Sequence, residues 1–410
     1  MTPLPADVPI VILASAPWQS VGRLNCHQLA TRLAERGHRV LFVESTGLRS
    51  PAVLASGHDR RKVVRRLAGF ARGQLEGPRP MAEGLWVVSP LTAPWGWPEP
   101  WRRWSLEGVA RQVRAATRRL GFERPVVWAQ LPTAVAAGRA VAPRSIVYHC
   151  ADDYASNPGV DAAWVAALER RLLDEADFVF ASSPLLGERL RGQRSDTEVW
   201  PNVADVGLFS RAVREEGPEP AELSGLSRPR AVYMGNVSPY KIDVALLDDL
   251  ARTLPWLQLV MVGEVGLGDV RGVGRAVRTL CECPNVRLLP ARPPAALPAL
   301  LRHCDVGLIP FVLNGHNRSS LPLKLFEYLA AGLPVVATEL PNLRRVGPEW
   351  AIRLAEGPSG FAGLVEKALG DPPGRRVDRV ALASAHDWEA RIDAILARLG
   401  ERPPEPGPAC

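Results

Sequence analysis

Three polar side chains share one face of a short predicted helix in the C-terminal half of the chain. The helix opens at Pro322, a residue that suits a first helical position, and ends before a glycine. Ser320, Lys324 and Glu327 follow one another at spacings of four and three, so they lie on the same side. The polar segment 314–320 leads into the helix N-terminus, which attracts anions, and Lys324 adds a full positive charge. The pattern indicates an anion site in which Glu327 accepts hydrogen bonds from a diol. The alternative is an amphipathic helix with a surface Lys–Glu pair.

A second group of candidate residues follows a predicted strand in the N-terminal half. Residues 145–150 form an apolar run, and Asp152 and Asp153 come directly after it. His149, near the end of the strand, and Asp152 could each orient or deprotonate a hydroxyl group. The other interpretation is an aspartate that caps a helix beside a buried histidine, and the spacing is compatible with both.

Strand-like and helical segments alternate along the chain, which predicts an α/β protein. The strand-like runs are almost continuously apolar, as expected of parallel strands covered by helices on both faces. Residues 211–229 interrupt the alternation because they are polar and rich in proline and glycine. We therefore expect two doubly wound domains, which bind ligands at the carboxyl ends of their strands. The predicted parts are an N-terminal domain (1–205), a linker (206–229), a C-terminal domain (230–385), a last helix (386–400) and a disordered tail (401–410).

Composition narrows the class of protein. The chain has 410 residues, of which 47% are hydrophobic and 23% charged, values typical of a globular protein with more than one core. Its six cysteines are scattered, which favours a reducing compartment over a disulfide framework. The apolar run 8–16 is shorter than the ~20 residues of a membrane span, and no basic signal-peptide region precedes it. A cytoplasmic location is therefore expected.

Positive charge is concentrated in one N-terminal region. Residues 60–124 contain 14 basic and 5 acidic side chains, while the net charge of the whole chain is +7. Within 60–104, arginines accompany aromatic residues such as Trp101 and Trp104. This mixture suits an anionic membrane surface, so peripheral contact with the inner face of the membrane is one prediction. A solvated helix face with inward-packed tryptophans is the other. No nucleic-acid-reading motif accompanies the charge, so nucleic acid is not an expected partner.

The segment 322–337 resembles the nucleotide-sugar site of GT-B glycosyltransferases. It is similar to the retaining family 4, and most of all to the cell-surface-polysaccharide subgroup of the teichuronic acid biosynthesis glycosyltransferase. Residues 200–205, 231–241, 284–290 and 297–310 resemble further family segments in the family's order. The resemblance implies an α/β GT-B fold, in which two Rossmann-like domains face a cleft and the last helix packs back on the N-terminal domain. It also implies a retaining transfer of a hexose-type sugar from a nucleoside diphosphate sugar, with UDP expected, to a hydroxyl acceptor.

The resemblance extends to individual positions. Lys241 stands at the family's diphosphate-binding lysine, and the subgroup's similar turn favours Asp152 over His149 on the acceptor side. The expected catalytic residues are Asp152, His149, Lys241 and Lys324. The expected nucleotide-sugar-binding residues are Gly22, Arg23, Gly235, Asn236, Lys241, Gly263, Glu264, Arg292, Arg318, Ser319, Ser320, Leu321, Lys324 and Glu327. The chain departs from the family at two positions, because Ser319 stands where a glutamate is frequent and Asn236 where an arginine is frequent.

No metal or other cofactor is expected. Negative charge grows on the departing diphosphate, and fixed cations with a helix N-terminus can stabilise that charge. No Asp-x-Asp pair follows a predicted strand, as a metal-bridged diphosphate would favour. The expected partners are the nucleotide sugar and a hydroxyl acceptor, either a lipid-linked glycan or a small molecule. Two other functions stay open: a natural-product glycosyltransferase of the same fold, and a non-catalytic nucleotide-sugar-binding or scaffold protein.

Overall fold

A computed structural model describes residues 2–20, 24–44, 77–92, 99–157, 160–266 and 275–401. The chain divides into two compact units: unit 1 comprises residues 1–200 and 392–410, and unit 2 comprises residues 201–391.

The units divide the chain at other points than the sequence predicts. The first division falls after Trp200, whereas the predicted N-terminal domain extends to 205. Residues 206–229, which the sequence assigns to a linker, lie in unit 2 because Phe209, Ala212 and Leu223 are buried in its core. Because this segment is polar and rich in proline, its composition does not indicate that these three residues are buried.

Unit 1 is built on a sheet of eight strands among the described residues, in the order β3-β4-β2-β1-β5-β6-β7-β8. Its strands are β1 (Ile10–Leu13), β2 (Val40–Val43), β3 (Arg79–Ala82), β4 (Leu85–Val88), β5 (Val126–Ala129), β6 (Ser145–Cys150), β7 (Phe178–Ala181) and β8 (Glu198–Val199). All neighbours are parallel except β3, which runs antiparallel to β4. The sequence does not predict β3, whose second residue is Pro80; an edge strand tolerates a proline.

Helices cover the sheet of unit 1, and short polar side chains mark where two of them begin. Asp161 accepts a hydrogen bond from the Trp164 amide, and Ser183 caps the helix that opens at Pro184. The helices are α1 (Asn25–Glu35), α2 (Glu99–Arg119), α3 (Val135–Ala140), α4 (Ala162–Glu175) and α5 (Pro184–Arg191).

Unit 2 contains a parallel sheet of six strands among its described residues, in the order β11-β10-β9-β12-β13-β14. The strands are β9 (Arg230–Met234), β10 (Gln258–Val262), β11 (Val286–Leu289), β12 (Val306–Ile309), β13 (Val335–Thr338) and β14 (Ile352–Ala355). The strand order reverses between β9 and β12, so their carboxyl ends form the switch point at which such sheets bind ligands.

The helices of unit 2 include several that the sequence analysis did not predict. They are α6 (Val206–Phe209), α7 (Arg211–Arg214), α8 (Val244–Thr253), α9 (Arg275–Cys281), α10 (Leu297–Leu301), α11 (Gly315–Arg318), α12 (Leu323–Ala330), α13 (Pro358–Leu369), α14 (Arg375–Ser384) and α15 (Trp388–Gly400). Two corrections concern the candidate site. The segment 314–320, predicted as a polar loop, contains α11, and Pro322 precedes the first residue of α12 instead of being that residue.

The last helix, α15, belongs to both units. From Ile392 onward its residues are part of unit 1. The Leu396 carbonyl accepts a hydrogen bond from the Leu4 amide at 2.8 Å, and the Arg398 guanidinium lies over the Phe178 ring. The prediction that the last helix packs back on the N-terminal part of the chain is therefore confirmed. None of the helices in the described ranges has the length and apolar character needed to cross a bilayer.

Candidate functional site

Two lysines, one in the loop after β9 and one in the first turn of α12, meet on one aromatic ring in unit 2. Lys241 Nζ lies 4.5 Å from the centroid of the Phe311 ring, and Lys324 Nζ lies 4.6 Å from the same centroid. Lys324 also lies 4.9 Å from the Tyr233 ring. Phe311 is two residues past the end of β12, and Tyr233 lies in β9, so the lysines converge on the switch point of the sheet. Aromatic faces hold ammonium groups in place without neutralising their charge.

The residue next to the Lys324 ammonium group is a glycine, Gly235. Gly235 has a φ of +136°, and a Cβ atom there would lie 3.0 Å from Lys324 Nζ. Gly263 has a φ of +157°, and its Cβ atom would lie 1.8 Å from the Gly235 carbonyl oxygen. The loops after β9 and β10 therefore pack backbone against backbone, which leaves room for a ligand group to approach the lysine closely.

The pKa values of Lys324 and Glu327 are both shifted towards neutrality. Burial is the main cause that lowers the pKa of Lys324 to about 7; the charge of Lys241 lowers it further, while Glu327 opposes the shift. Burial also raises the pKa of Glu327 to about 7, against the pull of Lys324. A half-buried cluster with two amines and one weakly ionised carboxyl group favours an anion, which would restore the full charge of Lys324.

Helix α11 joins this site, although sequence reasoning missed it. His316 Nε2 lies 3.4 Å from Lys241 Nζ. Asn317 is fully buried, and its amide group donates to the Lys241 carbonyl at 3.0 Å and the Val312 carbonyl at 2.9 Å. The available signal was Asn314, a residue type that commonly caps helices and here accepts the Asn317 amide.

The amides before α12 are less available than the sequence suggests. Ser319 and Ser320 both donate their backbone N–H to the Asn317 carbonyl. The predicted anion site therefore depends on the first turn of α12 itself, where amides have no acceptor within the helix. Arg318 is exposed, while Leu321 is 1% exposed and its carbonyl accepts the side chain of Asn202.

Other predicted donor-site residues have different surroundings. Tyr233 Oη donates to the Asn236 carbonyl at 2.9 Å, and the Glu264 carbonyl accepts the Val237 amide at 2.9 Å. The Arg292 guanidinium pairs with the Glu222 carboxylate. Gly22 and Arg23 lie outside the described residues.

The predicted acceptor-side residues lie in unit 1, at the carboxyl end of β6. The His149 ring stands edge-on to Trp128, with the centroids 5.5 Å apart. Asp152 Oδ1 accepts the Asp153 amide at 2.9 Å. Beneath them, Tyr148 Oη donates to Glu169 Oε1 at 2.6 Å, which anchors the strand to α4. His149, near the end of β6, and Asp152, just after that strand, thus lie in unit 1, whereas the two lysines belong to unit 2.

Comparison with known proteins gives this arrangement a context. Residues 228–371 match the family model of the Glycosyl transferases group 1. The chain is 24% identical to the putative teichuronic acid biosynthesis glycosyltransferase TuaH of Bacillus subtilis, across 95% of this chain and 96% of that protein.

Solved structures resemble the whole described architecture. Sucrose-phosphate synthase of Thermosynechococcus elongatus aligns with a TM-score of 0.69 at 18% identity, over 96% of this chain and 98% of that one. Anabaena HepE, determined in complex with UDP and glucose, aligns with a TM-score of 0.63 at 17% identity, over 96% and 99% of the two chains.

The protein is therefore a glycosyltransferase with the GT-B fold, so the predicted fold and enzyme class are confirmed. Residues 228–371 carry the region shared with the Glycosyl transferases group 1, and the chain as a whole resembles the teichuronic acid subgroup.

Proposed function

We propose that the protein is a retaining glycosyltransferase that moves a hexose-type sugar from a UDP-sugar to a hydroxyl acceptor during assembly of a cell-surface polysaccharide or glycolipid. The observation that carries the proposal is the convergence of Lys241 and Lys324 on the Phe311 ring. Two fixed ammonium groups above a bare glycine backbone suit a pyrophosphate, which carries several negative charges within a few ångströms.

The chain's own residues then supply the chemistry on the donor side. Cleavage of the bond between the sugar and the diphosphate leaves charge on the phosphate oxygens. Lys241, Lys324 and the first amides of α12 stabilise this charge because they are already oriented before the bond breaks. Glu327, one turn along α12, accepts hydrogen bonds from sugar or ribose hydroxyls. No metal has a role in this proposal.

Asp152 and His149 are the proposed groups on the acceptor side. Either can orient the attacking hydroxyl or receive its proton, and retention requires attack on the face that the diphosphate leaves. The UDP assignment is supported by HepE, a protein of the same fold that binds UDP and glucose. The polysaccharide assignment is supported by the name of the Bacillus relative.

Peripheral membrane contact is a further part of the proposal. Of the basic region 60–104, the structure describes residues 77–92 and 99–104. Trp101 and Trp104 are 50% and 55% exposed and pack against each other edge to face. They point outward, which favours a membrane surface over inward packing. Sedimentation with vesicles containing anionic lipid is expected to retain the wild-type protein and to lose the Trp101→Ala/Trp104→Ala variant. Equal sedimentation of both would contradict this contact.

The donor site is tested by thermal shift with UDP-, GDP-, dTDP- and ADP-glucose. A ligand that binds the native state at 100 times its Kd stabilises it by about 2.7 kcal/mol. UDP-glucose is expected to raise the melting temperature of the wild-type protein but not that of Lys241→Ala or Lys324→Ala. Lys367→Ala is the matched control, because Lys367 is a surface lysine paired with Glu349.

The chemistry is tested with UDP-glucose and a simple hydroxyl acceptor in the presence of EDTA. The protein is expected to release UDP. The NMR spectrum of the product is expected to show an α-linked sugar formed from an α-linked donor. An inverted product would exclude retention, and activity that disappears with EDTA would contradict metal-free transfer. Binding by the wild-type protein without any UDP release would favour the non-catalytic function.

A further inference from the structure

Helix α11 and the Lys241 loop are bound to each other by backbone-directed hydrogen bonds. Asn314 Nδ2 donates to the Tyr240 carbonyl at 2.7 Å, and the Val312 amide donates to the Lys241 carbonyl at 3.2 Å. Asn317 donates to the Lys241 carbonyl as well, so this one oxygen accepts from two sides. The loop that bears the lysine therefore has its main chain held on both sides of the residue.

Asn317 is the central member of this arrangement. It is 0% exposed, and its side chain bridges the Lys241 and Val312 carbonyls. Its own backbone N–H is bound by Asn314 Oδ1 at 2.8 Å. Because His316 precedes it directly, the same fixed turn also holds the imidazole against the Lys241 ammonium group.

We propose that Asn317 is a positioning residue that holds Lys241 and His316 together as one half of the diphosphate site. This inference rests on the proposed function for its ligand, but the placement of Lys241 can be measured without any ligand. A flexible lysine would lose side-chain entropy on binding the diphosphate, whereas a lysine held on the Phe311 ring has already lost it. Removing the two amide donors of Asn317 should make the loop flexible, so that Lys241 would again lose side-chain entropy on binding the diphosphate.

Asn317→Leu is the main test, because leucine has a similar branched shape and lacks the two N–H donors. Asn285→Leu is the matched control. Asn285 is 5% exposed in the same unit, and its side-chain amide donates to the carbonyls of Ala251, Leu254 and Leu257. Both variants remove side-chain hydrogen bonds to backbone carbonyls and should lower stability, but only Asn317→Leu should change the lysine site.

The first readout is NMR of protein labelled at the lysine Cε carbons. The chain contains only four lysines, Lys62, Lys241, Lys324 and Lys367, so each signal can be assigned by a Lys→Arg replacement. Asn317→Leu is expected to move the Lys241 signal and to leave that of Lys367 in place, while Asn285→Leu moves neither. An unchanged Lys241 signal in Asn317→Leu would overturn the proposal.

The second readout is the Kd for UDP. Asn317→Leu is expected to raise it about tenfold, the equivalent of ~1.4 kcal/mol. In a Lys241→Ala background the same substitution should add almost nothing, because Asn317 acts through Lys241. Additive losses, or an equal loss in Asn285→Leu, would overturn the proposal. A wild-type protein that binds no UDP would instead refute the proposed donor, while the Lys241 signal still decides the role of Asn317.

A milder variant keeps the test decisive if Asn317→Leu does not fold. Asn314→Ala removes the hydrogen bond to the Tyr240 carbonyl and the cap on the Asn317 amide. Asn314 is only partly buried, so its loss should be tolerated better than that of Asn317. The same displacement of the Lys241 signal is expected, and its absence would count against the proposal.

Discussion

Lys324 combines burial, a neighbouring amine and a neighbouring carboxyl group, which makes its charge depend on pH near neutrality. Burial and then Lys241 lower its pKa to about 7. A bound diphosphate favours the ammonium form and raises this pKa in the complex. The contribution of Lys324 to UDP affinity should therefore be constant below pH 7, and above pH 7 its loss should lower the affinity by up to about tenfold per pH unit. Isothermal titration calorimetry from pH 6 to 8.5 measures the UDP affinity. Titrations at pH 8 in buffers with different ionisation heats measure how many protons are taken up on binding. Affinity that increases with pH above pH 7.5 would contradict the role of Lys324.

Glu327 provides a second prediction at the same scale. Its carboxyl group favours the charged form of Lys324, while burial raises its own pKa to about 7. Glu327→Gln removes the negative charge, so the pKa of Lys324 should fall further and the loss of UDP affinity should begin at a lower pH. If Glu327 also receives sugar hydroxyls, the variant should weaken UDP-glucose more than UDP. An unshifted pH profile would mean that the two side chains do not interact.

Individual site residues were predictable where a local pattern marked them. Lys324 and Glu327 follow from the spacing of residues on α12, and Gly235 and Gly263 follow apolar strands. The contact between Lys241 and His316 was not predictable, because it joins residues 75 positions apart. Its existence depends on the parallel order of β9 and β12, which no short sequence window contains.

The loops after β9 and β10 act together because their main chains touch. A Cβ atom on Gly263 would lie 1.8 Å from the Gly235 carbonyl oxygen, and backbone cannot move aside as a flexible side chain can. Gly263→Ala should therefore separate the two loops, lower the melting temperature and remove UDP binding. Gly363→Ala is the control: this glycine lies in α13 with nothing within 4 Å of its added Cβ, and alanine there should stabilise the helix by about 1 kcal/mol. UDP binding by Gly263→Ala with wild-type affinity would contradict the loop contact.

Most strands and long helices were predicted, because their patterns are local and repeated, but the ten-residue helix α14 was missed. The strands of unit 2 have apolar runs bounded by turn residues, and α12 lies between Pro322 and Gly332. The short helix α11 was not predicted, since four residues do not show a helical period. Its conformation comes from the Asn314 cap and from hydrogen bonds to the Lys241 loop, which are tertiary contacts.

At the scale of the whole molecule, the fold requires the end of the chain to complete the unit that contains its beginning. Residues 201–391 form unit 2, and the chain returns to unit 1 at Ile392. The sequence predicted this return only through a family resemblance, because the amphipathic pattern of α15 does not reveal which core it covers. Arg398 pairs with Glu198 at 2.8 Å and lies over Phe178, so the helix holds β7 and β8 as well as the N-terminal segment.

Ile392 is the residue at which this return can be tested. Its side chain is 0% exposed, and Ile392→Ala should cost about 2–5 kcal/mol through lost burial and the cavity that remains. Because Ile392 belongs to unit 1, hydrogen exchange should accelerate in β7 and near Leu4 while the strands of unit 2 keep their protection. Val377→Ala, at a position that is 65% exposed, should change neither. If Ile392→Ala instead loosened β9 and β12, α15 would support unit 2, and UDP affinity would fall with stability.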